Sequence, residues 1–483
     1  IGTDFNIYNG SILQIEDGGQ VNVASDYHQD ETSELRIAVS SETAGMTNLI
    51  VQGTATFESN TTIRVRNDGI GATDEFEQTL VSSSALYLGD TNVLATTDML
   101  NDTNIINFYN TLLEIDGIVS NNSIIITTEV LSLSAQAGLN GTPLEPLGDE
   151  IDDMAFSGNA NAREMRRILG ENPLYDTVEA KNKVMRDYYG EKDSSLPAHN
   201  VINLGIQNVQ DQITMRTDNT RARQGIASSQ MDFDKPEAAN GPHQSDQEFQ
   251  GWITAYGSKG TMSATDGYYG YDASLSGFLI GADAAITENW LIGMAGGSGS
   301  SSTDKSDARM DTKTIYGTGY ASVGTKDWFA DMGFIYGNSD VDATLGTAFD
   351  TAASYSSQNF ALFAGGGKEI AGDYLIFTPE LSFLGNFYMQ KAYDETSSNA
   401  VGRQVDRVNT FNLQSTLGTS MAMYLGMGKV TMKPELRAFW LHEWAGDEER
   451  ADYSLIGGTG SYSMLLQAPE KDILKLGIGT SAK

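Results

Sequence analysis

The 483-residue chain contains no cysteine, which removes disulfides, thiolate catalysis and cysteine metal sites from consideration. Its four histidines, His28, His199, His243 and His442, leave little material for a multi-histidine metal centre. No segment approaches the run of about 18 apolar residues that a membrane-spanning helix needs. Barrel strands escape that test, because their signal lies in alternation. Positive charge is also scarce: 30 Lys and Arg stand against 64 Asp and Glu, a formal net charge of -34. Such a balance repels nucleic acid, and no basic stripe offsets it. The G-x-S-x-G elbow, the H-E-x-x-H pair and the G-x-x-x-x-G-K-[ST] loop are all missing, so no catalytic, cofactor-binding or metal residue is assigned and no enzyme is expected. The first residue is Ile1 and no export signal is visible, so the chain is read as starting inside something larger or as processed.

What is present first is a series of short strands. Phe5 to Tyr8, Ser11 to Ile15, Gln20 to Val23, Glu34 to Val39, Asn48 to Val51, Ala55 to Glu58 and Thr61 to Val65 are separated by glycine or polar turns such as Asp17-Gly18-Gly19. Apolar residues at Leu35, Ile37 and Val39, and at Ile63 and Val65, fall on every second position, so each strand buries one face. Strands this short must be stacked or sandwiched. A parallel β-helix does this most economically; a β-sandwich is the alternative. The pattern continues through 78–87, 105–108, 111–115 and 123–133, where Ile124, Ile125 and Ile126 suit a strand covered on both faces.

Near residue 150 the pattern turns helical. Met165, Ile168 and Leu169 recur at helical spacing in 162–169, with Arg163, Arg166 and Arg167 expected outward, and Val178, Val184 and Met185 do so in 177–188. Asn172-Pro173 and Pro197 punctuate these helices. From Asn200 to Gly225, Val201, Leu204, Val209 and Ile213 form a thin apolar stripe, while Gln207, Asp211, Arg216, Asp218, Arg221 and Arg223 make the remaining surface polar. A long helix with so little apolar surface suits a polar enclosure such as a barrel lumen; an exposed linker helix is the plainer alternative. Residues 226–248 carry Pro236 and Pro242 and read as a flexible passage.

From Phe249 the strands lengthen to 249–259, 274–286, 289–303, 311–325, 327–342, 354–370, 374–393, 410–425, 428–446 and 471–483. Most exceed the usual soluble strand of about five or six residues. Tight turns at Thr287-Glu288, Lys326, Gly372-Asp373 and Gly426-Met427 alternate with longer loops at 260–273, 304–310, 343–353, 394–409 and 447–461. That asymmetry between rims marks an outer-membrane barrel; a soluble sandwich does not account for it. Trp252, Trp290, Trp328, Tyr374 and Trp444 cluster near strand ends, where girdle residues are expected. Glycines inside the strands, among them Gly277, Gly281, Gly293, Gly317, Gly319 and Gly333, leave room for a helix within a narrow barrel. His442 beside Glu443 suits an internal hydrogen-bond network, or a solvation role at the rim or in the lumen, and the run Asp447, Glu448 and Glu449 reads as a solvated extracellular loop rather than a calcium site.

Taken in order, Tyr27-His28-Gln29, Leu49 to Ala55, the segment Asn200 to Gly225, Gly251-Trp252 and Trp440-Leu441-His442-Glu443-Trp444 resemble the C-terminal part of autotransporters, the type V secretion proteins. The resemblance implies a β-helical passenger stem and autochaperone-like region over 1–149, a helical connector over 150–199, a linker helix and passage over 200–248, and a transmembrane β-barrel over 249–483. It implies twelve strands in the full barrel, of which ten are counted here, and the aromatic terminal residue typical of such barrels is missing; two strands are expected beyond Lys483, because Ile473 to Gly479 reads as an interior strand that still needs a neighbour, and an incomplete or unusual barrel is the alternative. It implies a monomeric barrel that translocates its own N-terminal passenger and anchors it at the cell surface. Its partners would be outer-membrane lipid, periplasmic chaperones and the barrel-assembly machinery, with no cofactor. Some members cut themselves within the barrel through paired asparagine and acidic chemistry; Asn208 and Asn219 do not reproduce that pattern, and cleavage is not expected. A passive channel, or a surface adhesin or enzyme whose active part lies elsewhere, are the other readings.

Overall fold

The computed structural model describes residues 4–39, 45–59, 61–67, 75–89, 106–108, 112–189, 198–223, 249–263, 270–287, 289–305, 308–325, 327–346, 349–371, 375–423, 425–427, 430–445, 449–466, 468 and 470–482. The chain divides into two compact units. Expectations placed on 226–248, Glu288, Lys326, Gly372, Asp373, Tyr374, Asp447 and Glu448 lie outside the described residues.

The first unit opens with β1 (Phe5–Ile7), β2 (Ile12–Ile15), β3 (Val21–Val23), β4 (Tyr27–Gln29), β5 (Glu34–Val39), β6 (Thr47–Phe57), β7 (Thr62–Asn67), β8 (Glu77–Leu88), β9 (Ile106–Phe108), β10 (Leu113–Ser120) and β11 (Ser123–Val130). Along the chain the strands alternate between two parallel ladders. One runs β1, β4, β6, β8, with β3 also on β6; the other runs β2, β5, β7, β9. The alternation of apolar residues decides this: Leu35, Ile37, Ile63 and Val65 point inward with Val23, Leu49, Phe57 and Leu86 to make one core. Phe5, Tyr27 and Phe57 stack rung upon rung, their ring centroids 6.1 and 5.4 Å apart. Buried amides keep the register: Gln78 donates through Nε2 to the Met46 carbonyl at 2.8 Å and to Asn48 Oδ1 at 2.9 Å. The antiparallel hairpin β10–β11 joins the first ladder through β8. Ile124 and Ile126 enter the core there while Ile125 is only half-buried, so one face of that strand is less covered than three successive isoleucines suggest.

Helices follow: α1 (Leu133–Gln136), α2 (Glu145–Phe156), α3 (Ala160–Glu171), a single 3-10 turn over Pro173–Tyr175, and α4 (Val178–Tyr189). Asn159 caps α3 by accepting the Ala162 amide at 3.0 Å, and Thr177 accepts the Ala180 amide ahead of α4 at 3.1 Å. Arg163 and Arg167 are not part of the core face of α3, but Arg166 is fully buried. It shares a face with Ala162, Met165 and Leu169 at helical spacing, so it is carried inward with them. Asp152 of α2 pairs with its guanidinium, and Nη2 donates to the Leu131 carbonyl at 2.8 Å. Asp152 also accepts the Leu133 amide at 2.8 Å, so one ion pair ties α2 and α3 to the end of β11. Burial pushes the Arg166 guanidinium down to about 10. Residues 397–401 and 455–460 belong to this unit as well: Tyr189 donates to the Val401 carbonyl at 2.7 Å, and Glu150 accepts the amides of Thr459 and Gly460.

The second unit holds α5 (Ala198–Arg223) and the long strands β12 (Phe249–Met262), β13 (Tyr271–Ala285), β14 (Trp290–Lys305), β15 (Ala308–Gly324), β16 (Trp328–Gly346) and β17 (Asp350–Lys368). After the short β18 (Ile370–Ala371) come β19 (Ile376–Gln390), β20 (Tyr393–Ser397), β21 (Arg403–Val405), β22 (Val408–Ala422), β23 (Leu425–Met427), β24 (Val430–Ala445), β25 (Glu449–Leu455), β26 (Tyr462–Leu466) and β27 (Asp472–Ala482). Ten long strands pair in chain order, each antiparallel to the next, from β12 to β27. All ten were expected from the sequence, the last on a less clean alternation than the others, with ends displaced by a few residues. The segment 425–427, read as part of a tight turn, pairs with β24. In the long connections, β20, β21, β25 and β26 extend the hydrogen bonding, and Arg403 and Glu395 form a buried bidentate pair at 2.6 and 2.7 Å.

Candidate functional site

Parity divides the sheet into two chemically opposite faces. On β15, every even position from Ala308 to Ser322 lies on the more buried face, including Thr312, Thr314, Tyr316, Thr318 and Tyr320; the odd positions are more exposed, Ile315 to 68%. The open face carries Ile253, Ile280, Met294, Phe334, Leu362, Phe383, Leu417, Leu436 and Leu476. So large an apolar surface is unstable in water and matches a hydrocarbon surrounding. The other face is packed with Thr, Ser, Asn, Tyr and glycine, and α5 lies against it.

Two clusters hold the helix. Near its start, Ala198, Val201 and Ile202 meet Met310, Val341, Ala343, Ala353 and Tyr388. Further along, Ile206, Val209 and Ile213 meet Tyr256, Leu275, Leu279, Tyr316, Tyr320, Ile335 and Phe363. The apolar stripe therefore runs through Ile202, Ile206, Val209 and Ile213, and Leu204 sits only half-buried beside it.

The polar residues of α5 find partners on several strands. Arg216 donates through Nε and Nη2 to the two oxygens of Asp283 on β13 at 2.8 and 3.0 Å, and through Nη2 to Gln250 Oε1 at 3.1 Å. Asp283 also accepts the Tyr320 hydroxyl at 3.0 Å, and that hydroxyl oxygen accepts the Trp252 indole N–H at 3.0 Å. The guanidinium lies 6.0 Å from the Trp252 ring centroid. A planar, two-pronged cation on a nearly water-free carboxylate is a geometrically selective contact.

Charges run the other way elsewhere. Asp211 of the helix pairs with Lys475 of β27, and Asp218 lies 3.9 Å from Arg437 of β24, which also pairs with Glu435. Neutral contacts complete the set: Thr254 donates to Gln212 Oε1 at 2.8 Å, and Asn386 to Asn203 Oδ1 at 3.1 Å. Asn208 donates to the Leu204 carbonyl at 2.8 Å, within the helix itself. Gln207 is half-buried, and the side chains of Arg221, Arg223 and Asn219 lie outside the described residues. No cluster of His, Asp and Glu among the described residues has the arrangement of a metal site, and no described helix is long and apolar enough to cross a membrane.

Of the aromatic residues expected at the rims, Trp290, Trp328 and Trp444 stand on the open face, with Trp444 62% exposed and its indole N–H on Ser415 at 2.8 Å. Trp252 lies on the helix-bearing face, in the Arg216 network. Its neighbours Phe249 and Ile253 fall on the opposite parity, which is the signal that separates them. His442 stands between Trp440 and Trp444 on the open face and bonds Asp472 through Nδ1 at 2.8 Å, so its network is external rather than lumenal. Asp283, Tyr320, Lys475 and Arg437, which receive or orient the helix, were not singled out in the sequence.

Residues 251–483 match the family model described as the autotransporter beta-domain. This segment is thus an autotransporter β-domain, the translocator and anchor in the outer membrane of a type V secretion protein. Similar solved structures include the translocator domain of the autotransporter NalP from Neisseria meningitidis, at 18% identity over 48% of this chain and 76% of that one, with a TM-score of 0.39. The beta domain of the Bordetella autotransporter BrkA is 17% identical over 49% of this chain and 98% of that one, with a TM-score of 0.35. The transport unit of AIDA-I from Escherichia coli is 14% identical over 54% and 86%, with a TM-score of 0.34. Likenesses at that level add no weight; the family match carries the assignment. No curated protein matches the chain.

Proposed function

We propose that the chain is the C-terminal part of an autotransporter in which 1–149 is the end of a β-helical passenger, 150–199 a helical connector, 200–248 the linker helix and its passage, and 249–483 the barrel. The alternation of the first strands between two parallel ladders supports a β-helical stem. The barrel has twelve strands when complete and works as a monomer. It guides its own passenger across the outer membrane, then holds it at the surface, with α5 occupying the interior. Lipid covers the open apolar face; periplasmic chaperones and the barrel-assembly machinery deliver and insert the strands. The observation that carries this reading is the Arg216–Asp283 pair, which seats a polar helix on the inner face of a sheet whose outer face is apolar.

The absence of cysteine permits a clean test by thiol labelling on cells. A membrane-impermeant maleimide should label Glu31→Cys, an exposed stem position, on intact cells, and Asn289→Cys, at a short turn, only after the outer membrane is opened. Labelling of Asn289→Cys but not Glu31→Cys on intact cells would sink the proposal.

A further inference from the structure

α5 contains a single glycine among its 26 residues, Gly205. Glycine is unfavourable in a helix interior relative to alanine, so its presence there calls for a local cause. The cause is steric. A Cβ placed on Gly205 would stand 2.5 Å from the Tyr316 hydroxyl oxygen, closer than real Cβ atoms come to a neighbour, while the next ring atom, Cζ, would be 3.7 Å away. Tyr316 itself is held from both sides. It pairs in register with Gly297 of β14 and Gly337 of β16. Its ring would meet a Cβ on Gly299 at 3.1 Å and one on Gly337 at 3.5 Å, so glycines on both flanking strands leave it room to lie over the wall. It is almost wholly buried and aims its hydroxyl at the helix.

We infer that Gly205 and Tyr316 form a steric index that fixes where along its axis, and at what rotation, the helix comes to rest in the barrel. Sliding the helix by one turn, about 5.4 Å, would bring Val201, Ile202, Asn208 or Val209 beneath the hydroxyl, and each carries a side chain. Only one seat admits the tyrosine. The same seat brings Arg216 to Asp283, because residues eleven apart in an α-helix lie on nearly the same face, about 16 Å along the axis. Gly205 is a positioning residue: it sets the register in which the helix meets its partners. The inference rests on the reading that α5 occupies the barrel interior after secretion.

The test uses the full chain in the outer membrane, with cysteines in place of Gln212 and Thr254, whose side chains are hydrogen-bonded, and a short methanethiosulfonate crosslinker. The pair should crosslink in the parent and in Tyr316→Phe. Gly205→Ala should lower the crosslinked fraction at least three-fold, and Gly205→Ala with Tyr316→Phe should restore it, because removing the hydroxyl leaves the ring at an ordinary contact distance. If Gly205→Ala blocks barrel assembly, recovery of assembly in the double variant supports the index and continued failure overturns it. A Gly205→Ala chain that crosslinks like the parent, or a double variant no better than Gly205→Ala, also overturns it. No crosslink in the parent itself would instead remove the reading on which the index depends.

Discussion

The two units solve the same problem of alternating strands with opposite polarity. In the first, Leu35, Ile37, Leu49 and Ile63 turn inward and are wholly buried, while charged pairs such as Arg36–Glu34 and Arg64–Glu34 sit on the outside. In the second, Leu362, Phe383 and Leu436 turn outward, and the covered face holds Thr314, Ser339, Asn359, Asn386 and Gln414. The period of two is common to both; the surrounding medium decides which parity is apolar. Strand length follows the same division. Seven strands of the first unit have only three to six residues, although β6 and β8 reach 11 and 12, while the ten long strands of the membrane sheet have 11 to 19.

The contrast is open to direct attack, beginning with the interior of the second unit. Asp283→Ala leaves Arg216 without its buried partner, and breaking such a pair costs about 3–5 kcal/mol. The expected outcome is a helix released to external protease at a lower urea concentration than in the parent, while the strands remain folded. In the first unit, Leu35→Ala opens a void in a closed core and should lower its unfolding free energy by about 2–5 kcal/mol, read as a lower urea midpoint. On the barrel's outer face no such void arises, and the sensitive change is one of charge. Leu362→Arg should cost about 2–4 kcal/mol if the residue lies near the bilayer midplane, measured by folding into lipid vesicles, and little in detergent.

Smaller effects sharpen the same distinction. Lys475→Ala removes a partly exposed ion pair with Asp211 and should change helix retention by under about 1 kcal/mol, far less than Asp283→Ala. In the first unit, desolvation is the largest single influence on the Asp30 carboxyl and raises it. Hydrogen bonds from Ser33, the Asn9 amide, and the Thr32 hydroxyl and amide outweigh it and hold the group at about 2. Its folded value lies below its ordinary value of 3.8, so its contribution is complete above that pH and fades as the pH falls toward 2. Amide exchange at Asn9 and Thr32 should lose protection in that window, and Asp30→Asn should abolish the dependence.

The long strands were legible because alternation over a dozen residues admits no other period, and α5 was legible because a helix with so thin an apolar stripe needs polar surroundings. Short-range ambiguity hid other features. The segments around Val51 and Ala55, read as two strands, form the single β6, since Gly53 interrupts the side-chain pattern without ending the ladder; the Gly53 amide still reaches the Ser25 carbonyl at 3.0 Å. The strand Tyr27–Gln29 was too brief to show a period, and α2 escaped because its acidic residues obscure the Leu147, Ile151, Met154 stripe. Arg166 looked like a surface charge because its partner Asp152 lies on a different helix. Arg216 was identifiable as a helix contact, but its acceptor Asp283 is 67 residues away and is brought close only by the register of β12 with β13. Parity separates Trp252 from Phe249 and Ile253, yet a period of two does not say which parity faces lipid.

That last question is also the most direct test of the inside-out arrangement. Nitroxide labels placed one at a time from Gln250 to Tyr256 in the full chain, reconstituted in lipid, would report collision with dissolved oxygen at each position. The account predicts a period of two, with high accessibility at 251, 253 and 255 and protection at 250, 252, 254 and 256, where the helix covers the strand. A uniform profile, or the same alternation in the opposite phase, would contradict it.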